Sequence, residues 1–135
     1  MRVMKDRLGW WKVIAKAPNP DDVGTLDVEI EVQYRLLGRK EMSEALLKGL
    51  NLSEQSDDAA KLEALRQALA PEARQEADDW LTGHILAWRK GLEDEGGQPL
   101  PCNAETLTLV MDIPYLRQAL DRGLWEASRA APAGN

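Results

Sequence analysis

The clearest pattern along the chain lies between Leu26 and Leu36, where apolar and polar residues alternate without a break. A period of two predicts a β-strand with one face in the core and the other in solvent. In this register Ile30 faces the core and Glu29 faces water, and a slip of one residue would exchange them. A lone strand is unstable, so Trp10–Lys16 is predicted to pair with it as an N-terminal antiparallel hairpin, across the turn-rich segment Ala17–Gly24.

Apolar residues then recur at helical spacing, which predicts about five helices. The first is Lys40–Leu50, and the polar segment Asn51–Asp58 is predicted to be a loop. A second helix has three leucines on one face: Leu62, Leu65 and Leu69. The third begins at Pro71, and its apolar positions from Ala73 to Trp88 are spaced 4, 3, 1, 3, 1 and 3 residues apart. That spacing fits a period of 3.6 and predicts a helix that continues to Trp88.

The last part of the chain has clear boundary signals. Gly91–Pro101 is predicted to be a loop, and Asn103 is a suitable N-cap for a helix over Ala104–Met111. Pro114 interrupts that helix, because the residue before a proline is disfavoured in helical geometry. The final helix is therefore predicted from Pro114 to about Arg129.

Together these elements predict an α+β fold, a mainly helical single domain over residues 1–135 with a small N-terminal β-hairpin. Residues 1–9 and 130–135 are predicted to be flexible ends. The predicted core is the following set: Val28, Ile30, Val32, Leu65, Trp80, Leu81, Ile85, Leu109, Leu116 and Leu120.

Composition narrows the class of protein. The chain has 135 residues, of which 44% are hydrophobic and 30% charged, the balance of a soluble globular domain. The net charge is −6 and no cluster of Lys and Arg occurs, which argues against nucleic acid as a partner. No apolar run is long enough to span a bilayer, and no signal peptide is recognised at the N-terminus. Cys102 is the only cysteine, which fits a reducing cytoplasm.

Residues that could carry chemistry are few. His84 is the only histidine, and a packed, hydrogen-bonded imidazole is its expected role. Cys102 could act with His84 as nucleophile and base, but no cysteine-enzyme signature surrounds it. The acids of Glu93–Gly97 are consecutive rather than alternating, so a solvated turn is expected instead of a calcium loop. The expectation is no catalytic site, no metal and no cofactor.

Surface contacts remain as the source of function. The chain has five Trp and no Phe, so tryptophan supplies much of the large apolar area. Trp10 and Trp11 are adjacent on a strand and must point to opposite faces. The candidate partner-binding residues are Trp10, Trp11, Trp88, Leu92 and Trp125.

The segment from Asp79 to Asn135 resembles the tail assembly chaperones of long-tailed bacteriophages. The family has a helix ending in Trp, an acidic turn with glycine, a Pro-Leu stretch, a Glu-containing helix and a closing helix after a proline. The matching residues in the first part are Leu86-Ala87-Trp88, Gly91-Leu92, Asp94-Glu95, Gly97, Pro99-Leu100-Pro101 and Asn103-Ala104-Glu105. Those in the second part are Leu109, Ile113, Pro114, Leu116, Ala119 and Leu120. Cys102-Asn103 departs from the family, which usually has an aromatic residue and a Ser or Thr there.

The resemblance implies a cytoplasmic assembly factor of the infected bacterium, absent from the mature virion. Such a protein binds the tape-measure protein and assists polymerisation of the tail-tube protein, without catalysis or cofactor, and homo-oligomers are possible. An alternative is another phage tail protein or a head–tail joining or completion factor, and a small Cys/His enzyme is less favoured. Many family members are also extended by a −1 frameshift, and Ala133-Gly134-Asn135 permits the slippery heptamer G GGA AAC.

Overall fold

The computed structural model describes residues 3, 5–53 and 58–130, with side chains described for 3, 5–48 and 58–130. Within these residues the fold is α+β, as predicted, with five helices and one three-stranded antiparallel sheet. The strands, in the order in which they lie in the sheet, are β1 (Leu8–Pro18), β2 (Thr25–Arg35) and β3 (Ile85–Arg89). The helices are α1 (Arg39–Ser53), α2 (Asp58–Leu69), α3 (Pro71–Thr82), α4 (Ala104–Met111) and α5 (Pro114–Arg129).

The chain divides into two compact units. The first unit is Met1–Leu36 with Leu81–Asn135, and the second unit is Leu37–Trp80. The single domain over residues 1–135 stays a prediction. No helix in the described ranges combines the length and the apolar character that a membrane crossing requires.

The hairpin of β1 and β2 has the predicted register. Val13 pairs with Ile30, and Ile30 is fully buried while Glu29 is exposed. β1 is longer than predicted at both ends, since it includes Leu8 and continues to Pro18. Proline lacks an N–H but is tolerated at the end of an edge strand, where no ladder bond is lost. The prediction of a flexible end over residues 1–9 is therefore wrong for Leu8 and Gly9, and residues 1, 2 and 4 lie outside the described residues.

The predicted helix from Pro71 to Trp88 is wrong in its last third. α3 ends at Thr82, and β3 pairs antiparallel with β2. A β-bulge explains the mistake: Tyr34 pairs with Ile85 and Gln33 with Ala87, so Leu86 is the extra residue. The bulge turns both Ile85 and Trp88 to the buried face, although residues three apart on a regular strand face opposite ways. Because buried positions three residues apart are also typical of a helix, the sequence pattern favours a helix over the strand that is present.

The core of the first unit lies between the inner face of the sheet and α5. The strands contribute the buried residues Val13, Ala15, Ile30, Val32, Tyr34, Ile85 and Trp88. α5 packs against β1 and buries one face, which consists of Leu116, Ala119, Leu120, Gly123, Leu124 and Ala127.

The helix lies close to the sheet at Gly123. A Cβ atom at this position would be 2.6 Å from the Tyr34 hydroxyl and 2.6 Å from Cγ2 of Val13. The Tyr34 hydroxyl donates to the Leu120 carbonyl at 2.7 Å, and burial raises the pKa of this phenol. Arg122 donates to the Ile14 carbonyl at 2.6 Å, which ties α5 to the edge strand.

α4 and α5 begin and end where the sequence predicts. The Asn103 side chain accepts from the Thr106 N–H at 3.0 Å, and the Thr106 hydroxyl accepts from the Asn103 N–H at 3.0 Å, which forms a capping box. Because Thr106, Val110 and Met111 form the buried face of α4, Leu109 is 56% exposed and its predicted burial is wrong. Ala130 ends α5 in the left-handed conformation, and residues 131–135 lie outside the described residues.

The second unit is helical and has little core of its own among the described side chains. α1 extends to Ser53, so the first part of the predicted loop Asn51–Asp58 is helical, and residues 54–57 lie outside the described residues. α2 has no buried residue at all. Leu65 is 47% exposed and Trp80 is 37% exposed, so both predictions of core burial are wrong.

The remaining predicted core residues are mostly confirmed. Val28 is half-buried. The following are buried: Ile30, Val32, Leu81, Ile85, Leu116 and Leu120.

Candidate functional site

The outer face of the sheet is a surface of paired charges. Lys12 contacts Glu29 at 3.6 Å, and Lys16 forms an ion pair with Asp27. Both pairs join β1 to β2, and each side chain is more than half exposed, so each pair contributes about 0–1 kcal/mol to stability. Their main effect is to keep this face polar.

Trp10 is the large aromatic residue on that charged face. It is 40% exposed, and the Arg89 guanidinium lies 4.0 Å from its ring centroid. Nε of Arg89 also donates to Glu31 at 2.8 Å, and Nζ of Lys90 lies 2.9 Å from the same carboxylate. These two cations, Lys90 foremost, hold the pKa of Glu31 below its usual value. The arrangement is an aromatic and cationic surface, suited to contact with another macromolecule.

The other candidate partner residues lie in different environments. Trp11 is half-buried on the opposite face of β1, as the alternation requires, and Trp125 is half-buried on α5. Trp88 is 8% exposed, and its indole N–H donates to the Leu100 carbonyl at 2.8 Å. Leu92 is half-buried, and its carbonyl accepts from the Leu100 N–H at 3.0 Å. The hydrogen bond from Trp88 thus holds the loop that follows β3 in place. Of the five candidates, Trp10 alone is exposed.

The acidic segment forms a tight turn. Oδ1 of Asp94 accepts from the N–H groups of Gly96 and Gln98, both at 2.9 Å. Glu93 and Pro99 form a β-bridge across the turn, and Gly97 has φ +79°, which favours glycine. The Asp94 oxygen is therefore used to order the backbone, which is the solvated turn that the sequence predicts.

His84 is buried and hydrogen-bonded, and Cys102 is half-buried. His84 is 2% exposed, and its Nδ1 lies 2.7 Å from the Arg35 carbonyl, while its own carbonyl accepts from the Arg35 N–H at 2.8 Å. Cys102 is half-buried just before the N-cap of α4, and burial raises the pKa of its thiol. A raised pKa reduces the thiolate fraction, which is the opposite of what a nucleophile needs. The part of the chain that the structure describes holds no group of three or more His, Cys, Asp or Glu side chains arranged for a metal ion.

A second exposed surface lies on the helices of the second unit, and the sequence prediction missed it. Five leucine side chains there are between 47% and 60% exposed. They are Leu46 and Leu47 on α1, and Leu62, Leu65 and Leu69 on α2. The last three are named here the α2 leucine stripe. Its spacing is visible in the sequence, but the same spacing is also typical of a face that packs in a core, where Leu65 is predicted to lie.

Comparison of the chain with protein-family models, with curated proteins and with solved structures finds no match in any of the three.

Proposed function

We propose that this chain is an assembly chaperone, a binding protein without catalytic function that keeps an apolar helical partner soluble. The observation that carries the proposal is the set of five exposed leucines on α1 and α2, two helices that contact each other. Exposed apolar residues grouped on one element commonly mark partner sites. The net charge of −6 favours solubility of a chain that exposes such a surface.

Within this class, the particular function proposed is that of a phage tail assembly chaperone. The partner is then the tape-measure protein, the assembling polymer is the tail-tube protein, and the site of action is the bacterial cytoplasm. Support comes from the residues of the resemblance, which occupy β3, the Asp94 turn, α4 and the first half of α5. One family feature differs, because Trp88 lies in a strand and not at the end of a helix.

Both surfaces have a place in this proposal. The leucines of the second unit supply apolar contacts for a helical partner. Trp10 with Arg89 supplies a second contact surface on the first unit, where an aromatic ring gives large contact area at small entropic cost.

Co-expression with the tape-measure protein of the same genome tests the proposal. The full chain is expected to move the tape-measure protein from the insoluble to the soluble fraction and to co-purify with it. Leu65→Glu should abolish this effect, whereas Leu109→Glu, at a leucine of similar exposure on α4, should leave it intact. A tape-measure protein that is equally insoluble with and without the chain would refute the proposal.

Two further measurements separate the alternatives. A head–tail joining or completion factor remains in the particle, so detection of the chain in purified virions would favour that function instead. Ala133-Gly134-Asn135 lie outside the described residues. Sequencing the codons of these three residues shows whether the gene contains the slippery heptamer.

A further inference from the structure

The α2 leucine stripe has the spacing of a coiled-coil seam. Leu62, Leu65 and Leu69 are separated by three and then four residues, the a-d-a pattern of a heptad. Their exposed fractions are 51%, 47% and 59%, and α2 has no buried residue. All three leucines therefore offer apolar area to one more helix that runs along α2.

Two basic residues flank the stripe, one on each side. Lys61 precedes Leu62 and occupies a g position, while Arg66 follows Leu65 and occupies an e position. Both are exposed. Arg66 lies 4.0 Å from Glu63 of the same helix, but this pair is 69% and 61% exposed and is therefore weak. The edges of the seam are positively charged, although the whole chain carries a net charge of −6.

These charges disfavour a second copy of α2 as the occupant. In a parallel pair, a g residue meets the e residue of the next heptad, so Lys61 would face Arg66 of the other copy. In an antiparallel pair, g meets g and e meets e, and the contacts depend on the register. With Leu65 opposite Leu69, Arg66 would face Arg66 of the other copy, and with Leu62 opposite Leu65, Asp58 would face Leu69 within the seam. Each orientation therefore places either like charges beside the seam or a carboxylate within it.

We propose that the α2 leucine stripe binds an amphipathic helix of another protein, with apolar residues at heptad spacing and acidic residues at the flanking positions. The natural source, which rests on the proposed function, is a helical segment of the tape-measure protein. Lys61 and Arg66 select the partner by charge, and the three leucines supply the contact area. The stripe stays exposed in the free chain because the helix that covers it belongs to the partner.

Two synthetic helical peptides test this inference on the full chain. They share one leucine seam of about 20 residues, long enough to form a helix on binding, and differ only in having Glu or Lys at every e and g position. Fluorescence anisotropy at about 0.15 M salt limits the influence of distant charges. The Glu-flanked peptide is expected to bind about tenfold more tightly, because two attractive contacts replace two repulsive ones. The net negative charge of the chain would favour the Lys-flanked peptide. Tighter binding of the Glu-flanked peptide therefore reports on the charges of Lys61 and Arg66 beside the stripe.

Variants of the full chain separate the two contributions. Lys61→Glu with Arg66→Glu should reverse the preference, whereas the matched reversal Lys5→Glu with Arg7→Glu should not. Leu65→Gln should weaken binding of both peptides by about tenfold or more, while Leu109→Gln should have no effect. Circular dichroism of each variant confirms that the helices remain, and all six substitutions are at exposed positions.

Several outcomes would overturn the inference. They are equal binding of the two peptides, no binding of either, a preference that survives the reversal at Lys61 and Arg66, and a dimer of the chain that Leu65→Gln dissociates. The result is distinct from that of co-expression. A tape-measure protein kept soluble by the Lys61 and Arg66 variant would leave the chaperone proposal standing and place its contact elsewhere.

Discussion

Gly123→Ala adds one methyl group at the closest approach between α5 and the sheet. The new Cβ would lie 2.6 Å from the Tyr34 hydroxyl and 2.6 Å from Cγ2 of Val13, about 1 Å inside the optimal contact distance. Tyr34 is fully buried and Val13 is 2% exposed, so neither side chain can move into solvent. The substitution therefore requires α5 to shift away from the sheet.

Two opposing terms set the size of the effect. Overpacking of a filled core costs about 1–3 kcal/mol, and two simultaneous clashes with buried atoms place this site at the upper end. Alanine in place of glycine within a helix stabilises by about 1 kcal/mol. The net prediction is a decrease of about 1–2 kcal/mol in the free energy of unfolding.

Urea unfolding followed by tryptophan fluorescence measures this decrease. Four of the five tryptophans lie in the first unit, so the signal reports mainly on the packing of α5. The difference in stability between Gln118→Ala and Gln118→Gly, at an exposed position of the same helix, gives the helix-propensity term for alanine against glycine without a clash. In a Val13→Ala background the cost of Gly123→Ala should fall by about 1 kcal/mol, because one of the two clashes is gone. A variant that is more stable than the wild type would refute the close approach.

Three other predictions concern the first unit. Trp88→Ala should lower the free energy of unfolding by about 3–5 kcal/mol, measured by urea unfolding, because it empties a core site and frees the Leu100 carbonyl; unchanged stability with lost partner binding would instead make Trp88 a contact residue. Gly91→Ala should cost about 2 kcal/mol or more in the same assay, since φ is +88° and the new Cβ would lie 2.0 Å from the Glu29 carbonyl oxygen; a neutral result would contradict this geometry. The lowered pKa of Glu31 means that its ion pairs stabilise the fold above about pH 4.5 and that this contribution is lost as the pH falls through the folded-state pKa. Glu31→Gln should therefore be less stable than the wild type at pH 7, and the two should become similar in stability below pH 4.5. Urea unfolding at a series of pH values measures this difference in the free energy of unfolding. A difference that does not change with pH would show that the ion pairs of Glu31 do not stabilise the fold.

Elements whose signals are local were predicted correctly. The alternation from Leu26 to Leu36 fixed which face of β2 is buried, because a period of two leaves only one consistent register for a half-buried strand. Asn103 and Pro114 fixed the starts of α4 and α5, because capping and the constraint before proline depend on neighbouring residues alone.

Elements that depend on distant partners were not predicted. The buried positions of β3 follow from a bulge, and a bulge exists only in relation to the strand beside it. The exposed leucines of α2 could not be distinguished from a core face, because their spacing is the same whether the covering helix belongs to this chain or to another. The Trp10 and Arg89 contact was missed for a related reason, since the two residues come together only after β3 joins the sheet.

β2 and β3 are neighbours in the sheet, yet the whole second unit is inserted between them in the chain. The Arg35 N–H donates to the His84 carbonyl at 2.8 Å, so the chain returns to the sheet beside the point where it left. The pairing of β2 with β3 uses none of the inserted residues. The close fit of Gly123 against Tyr34 and Val13 likewise involves no residue of the second unit. The chain is therefore built as a frame that carries an inserted cassette.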